Sequence, residues 1–356
     1  MQLENNWTTF HCHSIEMNNI ESLNASNAKT SSQSSPSLET YLISALFVVI
    51  AAISVFGNIL IMMAIFINRR LRTTSNYLLV ALAVPDFFQG AVSLPLRLVE
   101  VLDKKSDHAS FCRVAIPLST LFGGTSNLHI LLIATERFIA ICWPFFYCNW
   151  VTTKNALVGV GGTWVFMTIF SLLPSLGWGG KQPEPSVKFC RFPEFLTQEY
   201  ITSLYVFVHA FPIITVIFLN VFILRASFDH ARRICVQVAA SNANSQVGRT
   251  STFYPEQSEE VGSRKREASR QMKATKIVAA VVGSFILMVV PIITIDVVEM
   301  MTGAVVPGWI VKVTVLMIYS NHCVNVFVYA GFNSDYRNTF KSIFKRGMNI
   351  VRPERS

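Results

Sequence analysis

Seven long apolar stretches, separated by short polar segments, dominate the chain: 41–67, 76–96, 114–135, 155–178, 200–224, 277–295 and 313–332. A helix rises about 1.5 Å per residue, so roughly 20 residues cross the hydrocarbon core of a bilayer. Each stretch is long enough. The third is the cleanest: residues 114–135 hold no Asp, Glu, Lys or Arg, the acid–base pair Glu136-Arg137 follows at once, and Pro144-Phe145 comes soon after. Such a pair belongs at a membrane face, where neighbouring helices hold it or release it. Beyond residue 332 the pattern changes. Tyr336, Phe340, Ile343 and Phe344 recur at helical spacing among basic residues, which predicts a short amphipathic helix on the membrane surface. The expected fold is an all-α membrane protein: a tail over 1–40, a seven-transmembrane helix bundle over 41–332, and an amphipathic helix and tail over 333–356.

Composition agrees, with 51% hydrophobic and 14% charged residues, against about 25% charged in soluble chains. The net charge of +9 does not indicate nucleic acid, because the basic residues lie between the apolar stretches. Arg69, Arg70 and Arg72 follow the first, a larger group lies in 225–276, and Arg337, Lys341, Lys345 and Arg346 follow the seventh. The 1–40 tail has one basic residue, Lys29, and two glycosylation acceptors, Asn6-Trp7-Thr8 and Asn24-Ala25-Ser26. Positive charge stays inside and sequons act outside, so the N-terminus is expected outside and the C-terminus inside, in the plasma membrane. Residues 1–38 hold no apolar signal core, so the first stretch is expected to serve as the targeting signal. The Ser/Asn/Gln-rich middle of 225–276 reads as a flexible loop.

Polar groups inside hydrocarbon are costly and need a reason. Asn58, Asp86, Ser126, Asn321 and Asn325 all lie near mid-stretch. Two readings stand side by side. Their oxygens suit a small hard cation such as Na⁺, or they form a hydrogen-bonded packing knot between the first, second and seventh stretches. His129 and His209 read as satisfied core residues. Cys112 and Cys190 both fall on the outward, oxidising side, which permits a disulfide tying the 179–199 loop across the outer mouth. Cys142, Cys148, Cys235 and Cys323 read as free thiols, and Cys12 has no evident partner. No cysteine spacing suits zinc, no phosphate loop or nucleophile–base pair suits an enzyme, and no inverted repeat suits a transporter.

Taken together these residues resemble the rhodopsin-like (class A) G-protein-coupled receptors over residues 41–347. The motifs are Gly57-Asn58, Leu82-Ala83-x-x-Asp86, Cys112 with Cys190, Glu136-Arg137-Phe138, Trp164 and Pro174, Pro212, Phe285 with Pro291, Asn325-x-x-x-Tyr329, and Phe332 with Phe340. Their joint order is specific where each alone is weak. A weaker likeness, carried by Pro174-Ser175-Leu176-Gly177-Trp178 and Cys190-Arg191-Phe192, is to adenosine receptors. The resemblance implies an extracellular ligand, a heterotrimeric G protein and arrestin as partners beside membrane lipid, and no cofactor beyond Na⁺ at Asp86, Ser126, Asn321 and Asn325. The implied ligand contacts are Ser119, Thr120, Gly123, Phe192, Leu204, Val208, Ile292, Ile293, Asp296 and Tyr319. Gly123 and Gly124 either make room for ligand or let helices pack closely. The implied coupling residues are Glu136, Arg137, Phe138, Phe145 and Tyr329.

The departures are informative. Ser119 stands where amine receptors carry an acid, Asp296 where adenosine receptors carry an asparagine, and Tyr319 where opsins carry the retinal lysine. Val289 replaces the tryptophan two before Pro291, Asn220 a tyrosine, Val326 a proline and Phe138 a tyrosine. Gln271 stands where an acid often clasps the arginine, so ligand-independent signalling is expected, provided that Val289 and Val326 leave the switch working. A receptor with altered switch residues is therefore the reading. An adenosine-like receptor and a non-signalling decoy are the alternatives, ahead of a channel or transporter.

Overall fold

The computed structural model describes residues 37–102, 108–182, 190–247 and 255–351. Among these, seven helices are long and apolar enough to cross a membrane: Leu38–Ile67, Thr74–Leu102, Ser110–Cys142, Thr153–Leu172, Gln198–Asp229, Ala279–Thr302 and Gly308–Phe332. They are called the first to seventh spans below. The expected helical bundle forms because hydrocarbon offers backbone N–H and C=O groups no partner but each other. Residues up to Leu42 group as a unit of their own, whose described part opens the first helix, with Ser37 Oγ accepting from the Thr40 N–H at 3.3 Å. Ile43–Ser356 form the other unit.

Two spans depart from a plain α-helix where proline removes a donor. In the second, Pro85 precedes a wide π turn at Gln89–Ser93, after which Leu94–Leu102 resumes as α-helix. In the fifth, a π turn at Tyr205–Ala210 directly precedes Pro212. Such turns rotate the residues that follow and often accompany functional sites.

The fourth span ends at Leu172 instead of continuing to 178. Pro174 follows, and Gly177 and Gly179 take positive φ values of 103° and 85°, which a side chain would resist. The centre of the expected flexible loop, residues 248–254, lies outside the described residues. On its flanks helix is longer than expected, reaching Val247 and beginning at Pro255, since propagation from an existing span costs little and Ala, Gln, Glu, Lys and Arg favour it. Unforeseen is the short helix Pro144–Trp150, whose proline sits in the first turn.

The third span is the hub, packing on the second, fourth, fifth and sixth. Leu78, Leu82, Ile130, Ile133, Val216, Phe285 and Val289 close around it as one core cluster. The amphipathic helix runs Ser334–Val351. Its Tyr336 and Phe340 are buried with Ile61, Ile65 and Tyr329, and Tyr336 stacks on Tyr329 at 5.6 Å.

Candidate functional site

Cys112 and Cys190 are disulfide-bonded, 78 residues apart with Cα atoms at 5.2 Å. Around this bond the loop is strapped down by charge. The Cys190 N–H donates to Glu100 Oε1 at 2.6 Å, and buried Glu100 is also held by Arg97 Nη1 at 2.6 and 2.9 Å. Arg191 pairs with Glu299, whose other oxygen accepts the Val306 N–H at 3.1 Å. The Tyr205 hydroxyl donates to Asp296. A cavity of about 180 Å³ lies at this end of the bundle.

Of the residues expected to contact a ligand, Ser119, Thr120, Gly123, Phe192, Leu204, Ile292, Ile293, Asp296 and Tyr319 line it. Val208 does not. It is buried beside Gly124 in the cluster that includes Met167 and Tyr200, because the π turn of the fifth span sets its facing. The glycine alternatives divide between the two residues. A Cβ at Gly124 would collide with Met167, whereas one at Gly123 would meet only Gln89 Nε2, at 4.0 Å. Both line the cavity; Gly124 also packs closely on the fourth and fifth spans, whereas Gly123 leaves room.

Sequence reasoning missed several lining residues: Gln89, Ser93, Arg97, Glu100, Asn127, Tyr205 and His209. The polar residues at 89 and 93 within an apolar stretch were the available signal. Gln89 Oε1, Ser93 Oγ and Thr120 Oγ1 are buried on this cavity without a hydrogen-bond partner. Each unsatisfied group costs on the order of 1–3 kcal/mol, so together they mark where a polar group of an occupant would sit. Asn127 Nδ2 and His209 Nδ1 lie 3.0 Å apart, and His129 reaches Thr163 at 2.8 Å. His129 lies in the core with its Nδ1 left without a partner, and His209 is a buried residue on the cavity wall.

Deeper in the bundle, Asp86 is fully buried. Ser126 Oγ donates to its Oδ1 at 2.6 Å and Asn325 Nδ2 to its Oδ2 at 2.8 Å. The remaining partner corrects the expectation: it is His322, with Nδ1 2.7 Å from Oδ1, and not Asn321. One residue turns a helix by about 100°, so Asn321 misses the Asp86 carboxylate, while both it and His322 line the cavity. Asn58 Nδ2 donates to the Ser54 and His322 carbonyls at 2.7 and 3.0 Å.

At the opposite end, Arg137 Nε lies 2.7 Å from Glu136 Oε2. The other oxygen, Oε1, accepts from Ser75 Oγ at 2.6 Å and from Tyr147 at 2.9 Å. Tyr147 lies on the short helix outside the spans. Burial raises its pKa above the ordinary phenol value, helped by the Glu136 charge and opposed by Ser75 and Arg137. It therefore stays a donor at neutral pH. Phe138 packs edge-on to Trp143 and Phe222. Phe145 is 92% exposed. A second cavity of about 110 Å³ runs between Arg137, Ile277, Val281 and Tyr329. Asn6, Asn24, Cys12 and the side chain of Gln271 lie outside the described residues.

The family model described as "7 transmembrane receptor (rhodopsin family)" matches residues 57–329. The chain is 25% identical to the Alpha-1A adrenergic receptor of Oryzias latipes over 312 residues, covering 84% of this chain and 65% of that protein. It is 25% identical to the Histamine H2 receptor of Cavia porcellus over 309 residues, 85% of this chain and 79% of the other. It is 28% identical to Adenosine receptor A2b of Homo sapiens over 323 residues, 85% and 89% of the two chains. The chain thus spans just under two thirds of the adrenergic relative's length.

Proposed function

The chain belongs to the rhodopsin family of seven-transmembrane receptors, and from that premise we propose that it binds an extracellular ligand at the disulfide end and signals to a heterotrimeric G protein at the Arg137 end. In this reading the N-terminus and the Cys112–Cys190 loop face outward from the plasma membrane, and the short helix Pro144–Trp150 faces the cytoplasm. The relatives' names mention histamine and adenosine, and neither transfers directly. Ser119 and Asp296 differ from what the resembling receptors carry, and the arginines of the cavity are already paired with Glu100 and Glu299. The proposed ligand has an apolar body facing Leu204, Val289, Ile292, Ile293 and Ile318. Its inner end carries a neutral hydrogen-bonding group for Gln89, Ser93 and Thr120.

The observation that carries the signalling half is Phe145. A phenylalanine 92% exposed one residue into a seven-residue helix suits burial in a partner, next to an arginine whose fork of donors suits a second contact. Burying a Phe side chain contributes about 1.5–3 kcal/mol. Phe145→Ala should therefore lower basal G-protein activation, normalised to surface expression, at least about tenfold. Unchanged activation in both Phe145→Ala and Arg137→Ala would reject coupling through this face and leave a receptor that binds without this output.

A further inference from the structure

We propose that His322 occupies the cation's position in the Asp86 cluster, so that the polar centre of this receptor is closed by its own imidazole and takes up no Na⁺. The donor chemistry is the first ground. All three side chains on the Asp86 carboxylate give it hydrogen: Ser126 at 2.6 Å, His322 at 2.7 Å and Asn325, through its NH₂, at 2.8 Å. A hard cation needs oxygen lone pairs turned toward it. Here the amide oxygen of Asn325 is turned away from the carboxylate, and the newcomer offers ring nitrogen, which suits transition metals better.

Two nearby backbone oxygens each already accept a hydrogen bond, and Asn58 Oδ1 is a buried side-chain oxygen left without a partner. The Asp86 carbonyl accepts from Ser54 Oγ at 2.8 Å, and the His322 carbonyl from Asn58 at 3.0 Å. Asn321, an oxygen the family resemblance would have supplied, faces the cavity.

Space is the second ground. A Cβ at Gly90 would come within 2.7 Å of Ser54 Cβ, and one at Gly57 would run into Val326. The first span therefore lies hard against the second and seventh around this cluster, and Asp86 has no exposed surface. A neutral imidazole donates Nδ1–H to a carboxylate just as an imidazolium does, so the inference does not depend on the ring's charge. His322 also lines the ligand cavity, which puts one residue between ligand and Asp86.

The test uses Na⁺ itself and the purified full chain in detergent micelles. Thermal unfolding is followed in NaCl and in KCl at matched ionic strength for wild type, His322→Ser, and His322→Ser with Asp86→Asn. Wild type should unfold at the same temperature in both salts. His322→Ser leaves a hydroxyl and the ring's volume, and should unfold about 2–4 °C higher in NaCl than in KCl, a difference the double variant loses. A Na⁺-specific rise in wild type overturns the proposal whether or not the variants fold. So does a folded His322→Ser that ignores Na⁺. No signalling readout enters, so the result stands apart from the proposed function.

Discussion

A methyl group added at Gly124 would run into the Met167 side chain and come within 3.0 Å of Val208, whereas at Gly123 it would meet only Gln89 at 4.0 Å. Neighbouring glycines thus carry different constraints, because a helix turns about 100° between them. Met167 and Val208 are both fully buried, so the Met167 side-chain end, which the new group meets first, must shift among packed neighbours. Gly124→Val is expected to destabilise the receptor by about 1–3 kcal/mol through overpacking. Gly123→Ala should stay within about 0.5 kcal/mol of wild type, since a side chain in open space usually changes little. Thermal unfolding of the two purified variants decides it. Equal losses at both positions would mean that Gly123 is also a packing contact and that the cavity is narrower than described. The same rotation explains why His322 bonds Asp86 where Asn321 was expected to, although both residues line the cavity. Spacing gives the helix face to within one residue, and one residue decides which side chain reaches Asp86.

Among the secondary elements, the short helix Pro144–Trp150 has the least support of its own. Seven residues cannot sustain a helix in isolation. Most of its apolar side chains are turned outward, Phe145, Phe146 and Trp150 among them. Its tethers among the described residues include the Tyr147 hydroxyl on Glu136 and the Asn155 amide on the Trp150 carbonyl, each 2.9 Å long. Removing the first with Tyr147→Phe should cost about 1 kcal/mol locally, seen as roughly fivefold faster amide exchange over 144–150 with global stability little changed. Exchange unchanged in this segment would show that the proline start and lipid contact hold it instead. The seven spans were legible in the sequence because crossing a bilayer imposes a minimum run of apolar residues. The disulfide was legible because both cysteines lie on one side of that pattern. The short helix, the π turns at Gln89–Ser93 and Tyr205–Ala210 and the early end of the fourth span were not. They follow from where a proline withholds a donor and how neighbours absorb the loss, which hydropathy does not encode. Gln89 and Ser93 stand out in the sequence as polar residues in an apolar stretch, but their place on the cavity depends on the π turn that contains them.

Across the whole molecule, the burial of each span shows which helices the bundle is built on. The third is the most buried and the fourth the least, so the third is the axis against which the others pack. In water, truncating a core residue loses both transfer free energy and packing, typically about 2–5 kcal/mol for Ile→Ala. In a bilayer the transfer part largely vanishes, because lipid tails are as apolar as the core, and association rests on van der Waals packing. The cavity part remains. Ile130, 2% exposed at the centre of the third span's core, and Ile169, 57% exposed on the fourth, separate the two contributions. Ile130→Ala should destabilise the receptor in lipid nanodiscs by about 1–2 kcal/mol, below the aqueous range because only its cavity part applies. Ile169→Ala should be near neutral, since lipid fills the space its side chain leaves. Thermal unfolding of both variants in the same nanodisc lipid measures the difference directly. A loss at Ile169 matching that at Ile130 would mean that the fourth span's outer face is covered by protein, as in a dimer, and that the single chain is not the packed unit.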